Sequence, residues 1–497
     1  MTPLRYILLI FISGPALAQL IAFLHVFTSN ASLKARMTTL AQAGYITVPT
    51  PTVTQTMGQI KPAFCGGLFF TLSVGVGLTL ATYVAALFWV YCFKRRFVAL
   101  GAMGCLLAVV CWLMNVDGIN VFPSLYVLLI PTFVFYLTLK TMPREPRGDT
   151  FRFGCATHLV SLGILAVFWG TQASQEMFVN VRDSLLLNNP IGMKINRFYY
   201  DYTLYAAEAF RPVKKKLIKS CYLDISADPS TYSHVHRILV HRDYLQVPDP
   251  DHTDLCIRLN KDTMLFYHGD RHVLTVSTQH FLKAPDKVLV EFSETCDLNR
   301  FFRFLTMVCL VLGLPIWLYG VCYLVMLGIV NRFVADRKRA MGMVALFGVL
   351  LGSGLCIPVA HLGDALPGRD DIAHFLKSGE SYKRIQALKT IEETGQDPLS
   401  FSAVWNILEH GSIPEIYWAI RALKDSKHHG ALDQLVKFTR SPYTNIACMA
   451  YYALGKRKDK RAIPLIIMGI KASDDWYPQG YAYRALRSLG WQQTKKW

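Results

Sequence analysis

The chain is short of charged residues, which make up only 17% of its 497 positions, against about 25% in soluble domains. Acidic residues are the scarcer kind, since 34 Asp and Glu stand against 52 Lys and Arg. None of the acidic residues lies deep inside a long apolar run, whereas proton-coupled pumps usually carry one there. With 52% hydrophobic residues, this composition predicts a polytopic membrane protein and argues against a proton-coupled pump.

Motifs that mark enzyme families are also missing. The sequence has no glycine-rich phosphate loop, no G-x-S-x-G elbow, no H-E-x-x-H and no paired C-x-x-C. Each of these spacings serves a specific chemistry, so their absence removes the common nucleotide-binding, serine-hydrolase and zinc-protease classes. The chain also lacks a nucleic-acid-binding motif. The net charge of +18 therefore favours acidic proteins or anionic lipid head groups as partners, and no nucleic acid.

Seven apolar runs are present, and each is long enough, or nearly so, to cross a bilayer as a helix of about 20 residues. They cover residues 6–27, 63–93, 97–115, 120–139, 153–171, 302–330 and 341–362. Residues 28–61 form a polar outer loop, rich in Thr and Pro between 47 and 52, for which extended backbone is expected.

Basic residues are distributed unevenly between the short loops. Twelve Lys and Arg residues fall on the side that carries the N-terminus, and three fall on the opposite side. The positive-inside rule predicts a multi-pass inner-membrane protein, bacterial by this interpretation, with a cytoplasmic N-terminus and a periplasmic C-terminus. The first span could instead be a cleaved signal peptide, because Arg5 and Ala16-Leu17-Ala18 resemble its charged end and cleavage site.

The predicted organisation has four parts. Residues 1–171 form a membrane region with five spans, and residues 301–362 add two further spans. Residues 172–300 predict an extracytoplasmic α+β domain with a strand at 217–224, a helix at 230–245 and a hairpin between 254 and 277. Residues 363–497 predict a C-terminal α-solenoid.

The α+β region is rich in histidine, which is the commonest metal ligand. Weak candidates for a metal site are His234, His241, His252 and Asp251, although their spacing matches no compact signature and ordinary surface histidines are the alternative. Two further histidines, His25 and His361, lie near the outer ends of spans and could hold a haem iron or simply form interfacial hydrogen bonds. No cofactor is expected.

Most of the twelve cysteines lie in or beside the spans, where Cys behaves as a small apolar residue. Three lie in the α+β region, namely Cys221, Cys256 and Cys296. An oxidising compartment permits a disulfide there. We therefore expect any disulfide to involve one of these three residues.

The last third of the chain carries a repeat. Ala-Leu pairs recur at intervals of 31–35 residues, at 387–388, 422–423, 453–454 and 485–486. This period predicts four stacked helix pairs, because one pair cannot bury its own apolar face. The second helices are expected at about 381–393, 414–425, 444–455 and 477–489.

The clearest unit runs from Ala453-Leu454-Gly455 through Asp459-x-Arg461-Ala462 to Ile463-Pro464-Leu465. It resembles the HEAT-like repeats of the phycobilisome-lyase type over residues 370–490, most closely in the last two repeats. Such repeats mostly serve as binding surfaces, so the resemblance implies interaction rather than catalysis. We recognise no family for the membrane region.

The repeats also predict where a partner binds. Basic and aromatic residues recur at the position directly before each Ala-Leu pair, and at the positions three residues before and three residues after that one, which places them on one face of each second helix. The predicted partner-binding ridge comprises Lys383, Gln386, Lys389, Trp418, Arg421, Lys424, Tyr452, Tyr481, Arg484 and Arg487. The alternative is an ordinary solvated or packed helix face.

The sequence as a whole predicts a non-enzymatic, membrane-anchored scaffold or accessory subunit of an envelope complex. Its partners are the lipid bilayer and a protein bound through the repeats. Two alternatives remain open at this point. One is a membrane-embedded enzyme or transport component with its site between the α+β domain and the outer ends of the spans, and the other is a metal or haem redox subunit.

Overall fold

The computed structural model describes residues 3–141, 148–225, 229–251, 253–363 and 366–493. Helices dominate, and one small sheet lies in the middle of the chain. The first part contains α1 (Pro3–Gln42), α2 (Pro51–Thr56), α3 (Ile60–Phe70), α4 (Val76–Tyr91), α5 (Phe97–Asn115), α6 (Val121–Thr141) and α7 (Gly148–Gly170).

The middle part combines short helices with the strands. It contains α8 (Met177–Val181), α9 (Pro190–Ala209), β1 (Lys219–Asp224), α10 (Pro229–Val240), β2 (Tyr244–Gln246), β3 (Leu255–Asn260), β4 (Thr263–His268), β5 (Arg271–Ser277), α11 (Thr278–Lys283) and α12 (Pro285–Thr295). The sheet order is β2-β1-β3-β4-β5, in which β1 pairs in parallel with β2 and β3, and the other pairs are antiparallel.

The last part returns to helices. It contains α13 (Arg300–Val308), α14 (Leu314–Val330), α15 (Arg337–Gly363), α16 (Ile372–Leu376), α17 (Ser381–Thr394), α18 (Ser402–His410), α19 (Ile413–Ala422), α20 (Ala431–Phe438), α21 (Thr444–Lys456), α22 (Ala462–Ala472) and α23 (Trp476–Ser488). The four predicted helix pairs are all present, as α16–α17, α18–α19, α20–α21 and α22–α23.

Within the part of the chain that the structure describes, seven helices are long and apolar enough to cross a membrane, in the places where the sequence predicts them. They are span 1 (Arg5–Gln42), span 2 (Ile60–Tyr91), span 3 (Phe97–Asn115), span 4 (Val121–Thr141), span 5 (Arg152–Gly170), span 6 (Arg300–Val330) and span 7 (Arg337–Gly363). Length and composition alone define these candidates.

The prediction of a polar loop over residues 28–61 is wrong over residues 28–42, because α1 continues to Gln42. Leu33, Met37 and Leu40 recur at helical spacing in this extension and are almost fully buried against the rest of the molecule. An apolar stripe of this kind supports a helix beyond the apolar run itself. Short α2 follows, beginning with Pro51.

Spans 2 and 6 are longer than a bilayer needs, and each contains one π-helical turn, at Thr71–Gly75 and Cys309–Gly313. The two helices touch just beyond these turns, where a Cβ added to Gly313 would lie 2.9 Å from the Cα of Gly77. Glycine at both positions therefore allows the two helices to approach each other closely.

Four outer segments meet at one end of the bundle. The turn between spans 3 and 4 accepts a hydrogen bond at Asp117 O from Arg271 of β5, over 2.9 Å. The loop after α1 bonds the end of the repeats, with Ile46 N 2.8 Å from Gln493 Oε1. Chain order and these contacts place residues 28–59, 116–120, 171–299 and 366–493 at the same end of the helical bundle.

The sheet differs from its prediction in two places. Helix α10 ends at Val240, and the residues expected to continue it form a turn and then the start of β2, which pairs with β1. The second predicted hairpin strand is two strands, β4 and β5, folded back at Gly269, whose φ of +56° suits glycine.

Candidate interaction surfaces of the helical repeats

The second helices α17, α19, α21 and α23 pack side by side in chain order, and the first helices lie on their outer side. The repeated Ala-Leu pairs form the contact layer and are all 3% exposed or less. A small residue is needed where two second helices touch, since a Cβ on Gly455 would lie 2.8 Å from the Cα of Ala485. The Ala-Leu pairs therefore recur because neighbouring repeat units pack against each other at these positions.

The inner face of these second helices is covered by the chain itself. The covering element, here called the 177–209 hairpin, consists of α8, the π-helical turn Arg182–Leu186 and α9. Trp418, only 1% exposed, donates from Nε1 to Asp183 Oδ2 over 2.9 Å. The Arg182 guanidinium lies 4.0 Å from the ring centre of Tyr417. Burial raises the pKa of Asp183 despite the Arg182 charge beside it.

Two more residues of the predicted ridge serve the same internal contact. Lys389 is 4% exposed and donates from Nζ to Glu176 Oε2 over 2.7 Å and to Asn180 Oδ1 over 3.1 Å. Gln386 is buried and donates from Nε2 to the carbonyl of His361 over 2.8 Å. The prediction that Gln386, Lys389 and Trp418 face an external partner is therefore wrong, because span 7, Glu176 and the hairpin already occupy that face.

Three further ridge residues brace the repeats from within. Arg421 Nε and Lys424 Nζ donate to the same atom of the preceding repeat, Glu392 Oε1, over 2.7 and 2.5 Å. Arg487 Nε lies 3.1 Å from Asp243 Oδ1 of the α+β part, and its Nη2 donates to the carbonyl of His241. These cations hold repeats to one another and to the sheet, so they also do not form an open surface.

The rest of the ridge is discontinuous. Lys383 pairs with Glu380 on its own helix over 2.5 Å. Tyr452 and Tyr481 are half-buried, and Arg484 is exposed with its guanidinium 5.5 Å from the Tyr481 ring centre. Of the ten predicted residues, Arg484 alone is exposed.

A second surface lies at the turns between repeats. We call residues 423–430 and 456–461 the turn edge. Asp397 accepts from Ser426 Oγ over 2.7 Å, and Arg457 donates to Leu423 O over 3.0 Å and to Ser426 O. These bonds link successive turns into one continuous edge. Burial opposes ionisation of Asp397, but its hydrogen bonds outweigh burial and hold its pKa below the ordinary value.

The turn edge carries an excess of exposed cations. These are Lys427, Lys456, Lys458, Lys460 and Arg461. Asp459 is held by Arg461 over 2.7 Å, and Asp425 is the other acid. The run of charged residues at 456–461 is visible in the sequence. From sequence alone, its Asp459 and Arg461 identify the repeat, and the run is not interpreted as a surface. Its union with 423–430 depends on Arg457 and could not be predicted from spacing.

A buried ion-pair network joins α1 to the other outer parts. Arg36 contacts Asp254 and lies 3.4 Å from Glu208, while Lys216 Nζ is 2.7 Å from Asp254 Oδ1. Burial alone would raise the pKa of Asp254, but the charges of Arg36 and Lys216 outweigh it and hold the pKa well below its ordinary value. This network lies at the junction of the α+β part with the outer ends of the spans, where the sequence left an enzyme or transport site open.

The predicted metal and haem ligands do not come together. His234, His241 and Asp251 are exposed, and His252 lies outside the described residues. Among the residues that the structure describes, no three His, Cys, Asp or Glu side chains form a metal-binding group. The rings of the two haem candidates have separate neighbours. His25 stacks between Phe70 and Phe122, at 5.0 and 4.6 Å, whereas His361 stacks on Tyr382 at 5.3 Å.

The three disulfide candidates are free thiols. Cys221 lies beside Leu255 in the β1–β3 ladder and Cys256 lies beside Tyr222. Neighbouring residues of a strand point to opposite faces, so Cys221 and Cys256 project from opposite sides of the sheet. Burial raises the pKa of Cys296 to about 12, which keeps that thiol protonated and unreactive at neutral pH.

Comparison with known proteins identifies one region. Residues 401–487 match the family model described as HEAT repeats, which covers the last three helix pairs, α18 to α23. The resemblance to HEAT-like repeats is thereby confirmed, and it indicates a role in protein interaction. No curated protein and no solved structure matched the chain.

Proposed function

We propose that this protein is a membrane-embedded scaffold or accessory subunit that binds an acidic protein partner through the turn edge of its HEAT repeats. In this proposal the seven candidate spans anchor the chain in the bilayer, and the outer parts form one body at the membrane surface. HEAT repeats commonly present extended binding surfaces, which supports interaction over catalysis.

The observation that carries the proposal is the contrast between cations that are paired within the chain and cations that are exposed to solvent. The cations of the inner face already bond to acids of the same chain, as Lys389 does to Glu176. By contrast, Lys458 and Lys460 are exposed on the turn edge. A positive patch steers a negative partner and suppresses like-charged competitors.

The experiment reverses charge on the turn edge. The double variant Lys458→Glu/Lys460→Glu and the wild type are purified in mild detergent, and stoichiometric partners are identified by mass spectrometry. We expect the wild type to retain an acidic partner and the variant to lose it, because four units of charge change at the contact. Raising the salt concentration should weaken the wild-type complex in the same direction.

The matched control places the same charge change elsewhere on the chain. Lys283→Glu/Lys287→Glu alters two exposed lysines beside the sheet and should leave the partner bound. Partner recovery that is unchanged in the turn-edge variant, or equally reduced in both, would contradict the proposed surface.

We also propose that the N-terminus is cytoplasmic and that all outer parts are periplasmic. The loop asymmetry of Lys and Arg and the meeting of the four outer segments support this orientation. A reporter that is active only in the periplasm, fused after Trp497, should be active. Activity of a cytoplasm-only reporter at the same position would reverse the orientation.

A further inference from the structure

An exposed apolar stripe runs along the first half of α9. Ile191, Ile195 and Phe198 are 74%, 54% and 38% exposed, and their spacing of four and three places them on one side of the helix. The helix is well started, since Asn189 accepts a hydrogen bond from Gly192 N over 2.7 Å and Pro190 follows at the first position. Three large apolar side chains on one exposed face require a partner or a lipid surface.

The same side of α9 packs on the membrane helices farther along the chain. At residues 202 and 205 it crosses span 2, where a Cβ added to Gly66 would lie 2.9 Å from Tyr205 Cβ and 3.4 Å from Tyr202 O. Helical spacing places these two residues in line with Ile195 and Phe198. The side that rests on the bundle therefore continues outward beyond the bundle and is uncovered there.

The opposite side of α9 faces the repeats. Tyr200 packs edge-on against Tyr477 with ring centres 4.9 Å apart, and Thr203 Oγ1 lies 2.8 Å from Tyr477 Oη. The helix is thus enclosed between the solenoid on one side and the bundle on the other. Beyond the edge of the bundle, the exposed stripe therefore faces the same medium as the outer surface of the bundle.

Both ends of the 177–209 hairpin lie level with the outer ends of spans. Near its start, Asn180 is close enough to Gly363, the last residue of span 7, that an added Cβ would lie 3.9 Å from Asn180 Nδ2. Near its end, Phe210 packs edge-on against Phe302, the third residue of span 6, with ring centres 6.4 Å apart. Between these points, burial raises the pKa of Asp201, and the charge of Lys61 at the start of span 2 opposes that rise. The hairpin therefore follows the outer rim of the bundle.

Basic residues flank the stripe. Lys194 and Arg197 are exposed on the side of α9 next to it, and the Arg197 side chain is 82% exposed. An apolar face bordered by Lys and Arg is the pattern of helices that lie in the membrane interface, with the cations at the level of the phosphates.

We propose that α9 is an in-plane membrane helix whose Ile191, Ile195 and Phe198 enter the outer lipid leaflet while its other face holds the HEAT repeats. The occupant of the stripe is a lipid surface, and the inner face of the solenoid docks on the membrane through this helix. This inference rests on the proposed embedding of the spans in a bilayer.

The test measures depth at single positions of the full-length protein in lipid nanodiscs. A fluorescent noncanonical amino acid replaces Ile195, Leu106 or Glu409 in separate preparations, with Leu106 as the exposed reference on span 3 and Glu409 as the exposed reference on the repeats. Quenching by brominated lipid reports acyl-chain contact, and quenching by aqueous iodide reports water. We expect the probe at 195 to follow the probe at 106, with iodide quenching severalfold below that at 409.

The outcomes separate the two proposals. Lipid quenching at 106 together with iodide quenching at 195 would overturn the in-plane helix, leave the embedding intact and make the stripe a surface for a protein. Iodide quenching at 106 would overturn the embedding itself. A probe at Phe198 repeats the measurement if the substitution at 195 does not fold, and it should give the same result.

Discussion

The inner face of the repeats and the turn edge carry similar residues but use them differently. On the inner face, Lys389 bonds to Glu176, directly before the 177–209 hairpin, and Trp418 bonds to Asp183 within it. On the turn edge, Lys458 and Lys460 extend into solvent. The inner face of such solenoids commonly forms a binding surface. Here it packs against the 177–209 hairpin of the same chain. The exposed cations of the repeats lie instead on the turn edge.

The strongest way to break this comparison is to remove the central inner-face anchor. Trp418→Ala should lower the free energy of unfolding by about 5 kcal/mol, because it opens a large cavity and leaves buried Asp183 without its donor. Thermal unfolding in detergent would show a large drop in midpoint. Trp405, half-buried on the outer helix α18, provides the control, and Trp405→Ala should cost clearly less. Equal losses would mean that the inner face is not specially anchored.

The next test concerns the buried ion pairs that hold α1 to the sheet. Asp254→Asn should lower the free energy of unfolding by about 3 kcal/mol at neutral pH, because Arg36 and Lys216 lose their shared carboxylate. The folded-state pKa of Asp254 is below its unfolded value of about 3.9. Its stabilising effect is therefore complete above about pH 4 and is lost as the pH falls towards the folded-state pKa.

Thermal midpoints at pH 7 and pH 3 check this dependence. The difference between wild type and Asp254→Asn should be large at pH 7 and smaller at pH 3. A difference that does not change with pH would show that the variant acts through shape rather than through charge.

The predicted ridge contains a matched pair that sharpens the comparison further. Arg421 and Arg484 occupy the same place before the Ala-Leu pair in different repeats, yet Arg421 bonds to Glu392 and Arg484 is exposed. Arg421→Glu should cost about 2 kcal/mol, because it places a second acid beside a buried one. Arg484→Glu should change the midpoint little. A similar loss in both variants would contradict the internal role of Arg421.

The helices of the repeats and the seven apolar helices could be predicted because both depend on local periodicity. The Ala-Leu spacing fixed the second helices to within a few residues, since packing between neighbours uses the same positions in each repeat. The face of each helix could also be predicted, and Lys389, Trp418 and Arg421 do share one. What covers that face could not, because the covering hairpin lies more than 170 residues earlier in the chain.

Other departures have local causes. Leu33, Met37 and Leu40 offered the helical spacing that extends α1, but the Thr- and Pro-rich stretch after them dominated the prediction of a loop. Strand β2 has three residues, which is too short for a period of two to be read. It exists because β1 provides a pairing edge, and such tertiary pairing can override local preference.

The smallest expected effect on stability is at the turn edge, in contrast to the large effect expected at Trp418 on the inner face. Lys458→Ala/Lys460→Ala should change the free energy of unfolding by no more than about 0.5 kcal/mol, because exposed side chains without internal partners contribute little to stability. The same double variant should still weaken partner binding, since it removes two of the five exposed cations of the turn edge. Thermal unfolding and co-purification of one preparation would measure both quantities. A lowered midpoint with full partner recovery would invert the roles assigned to the inner face and the turn edge.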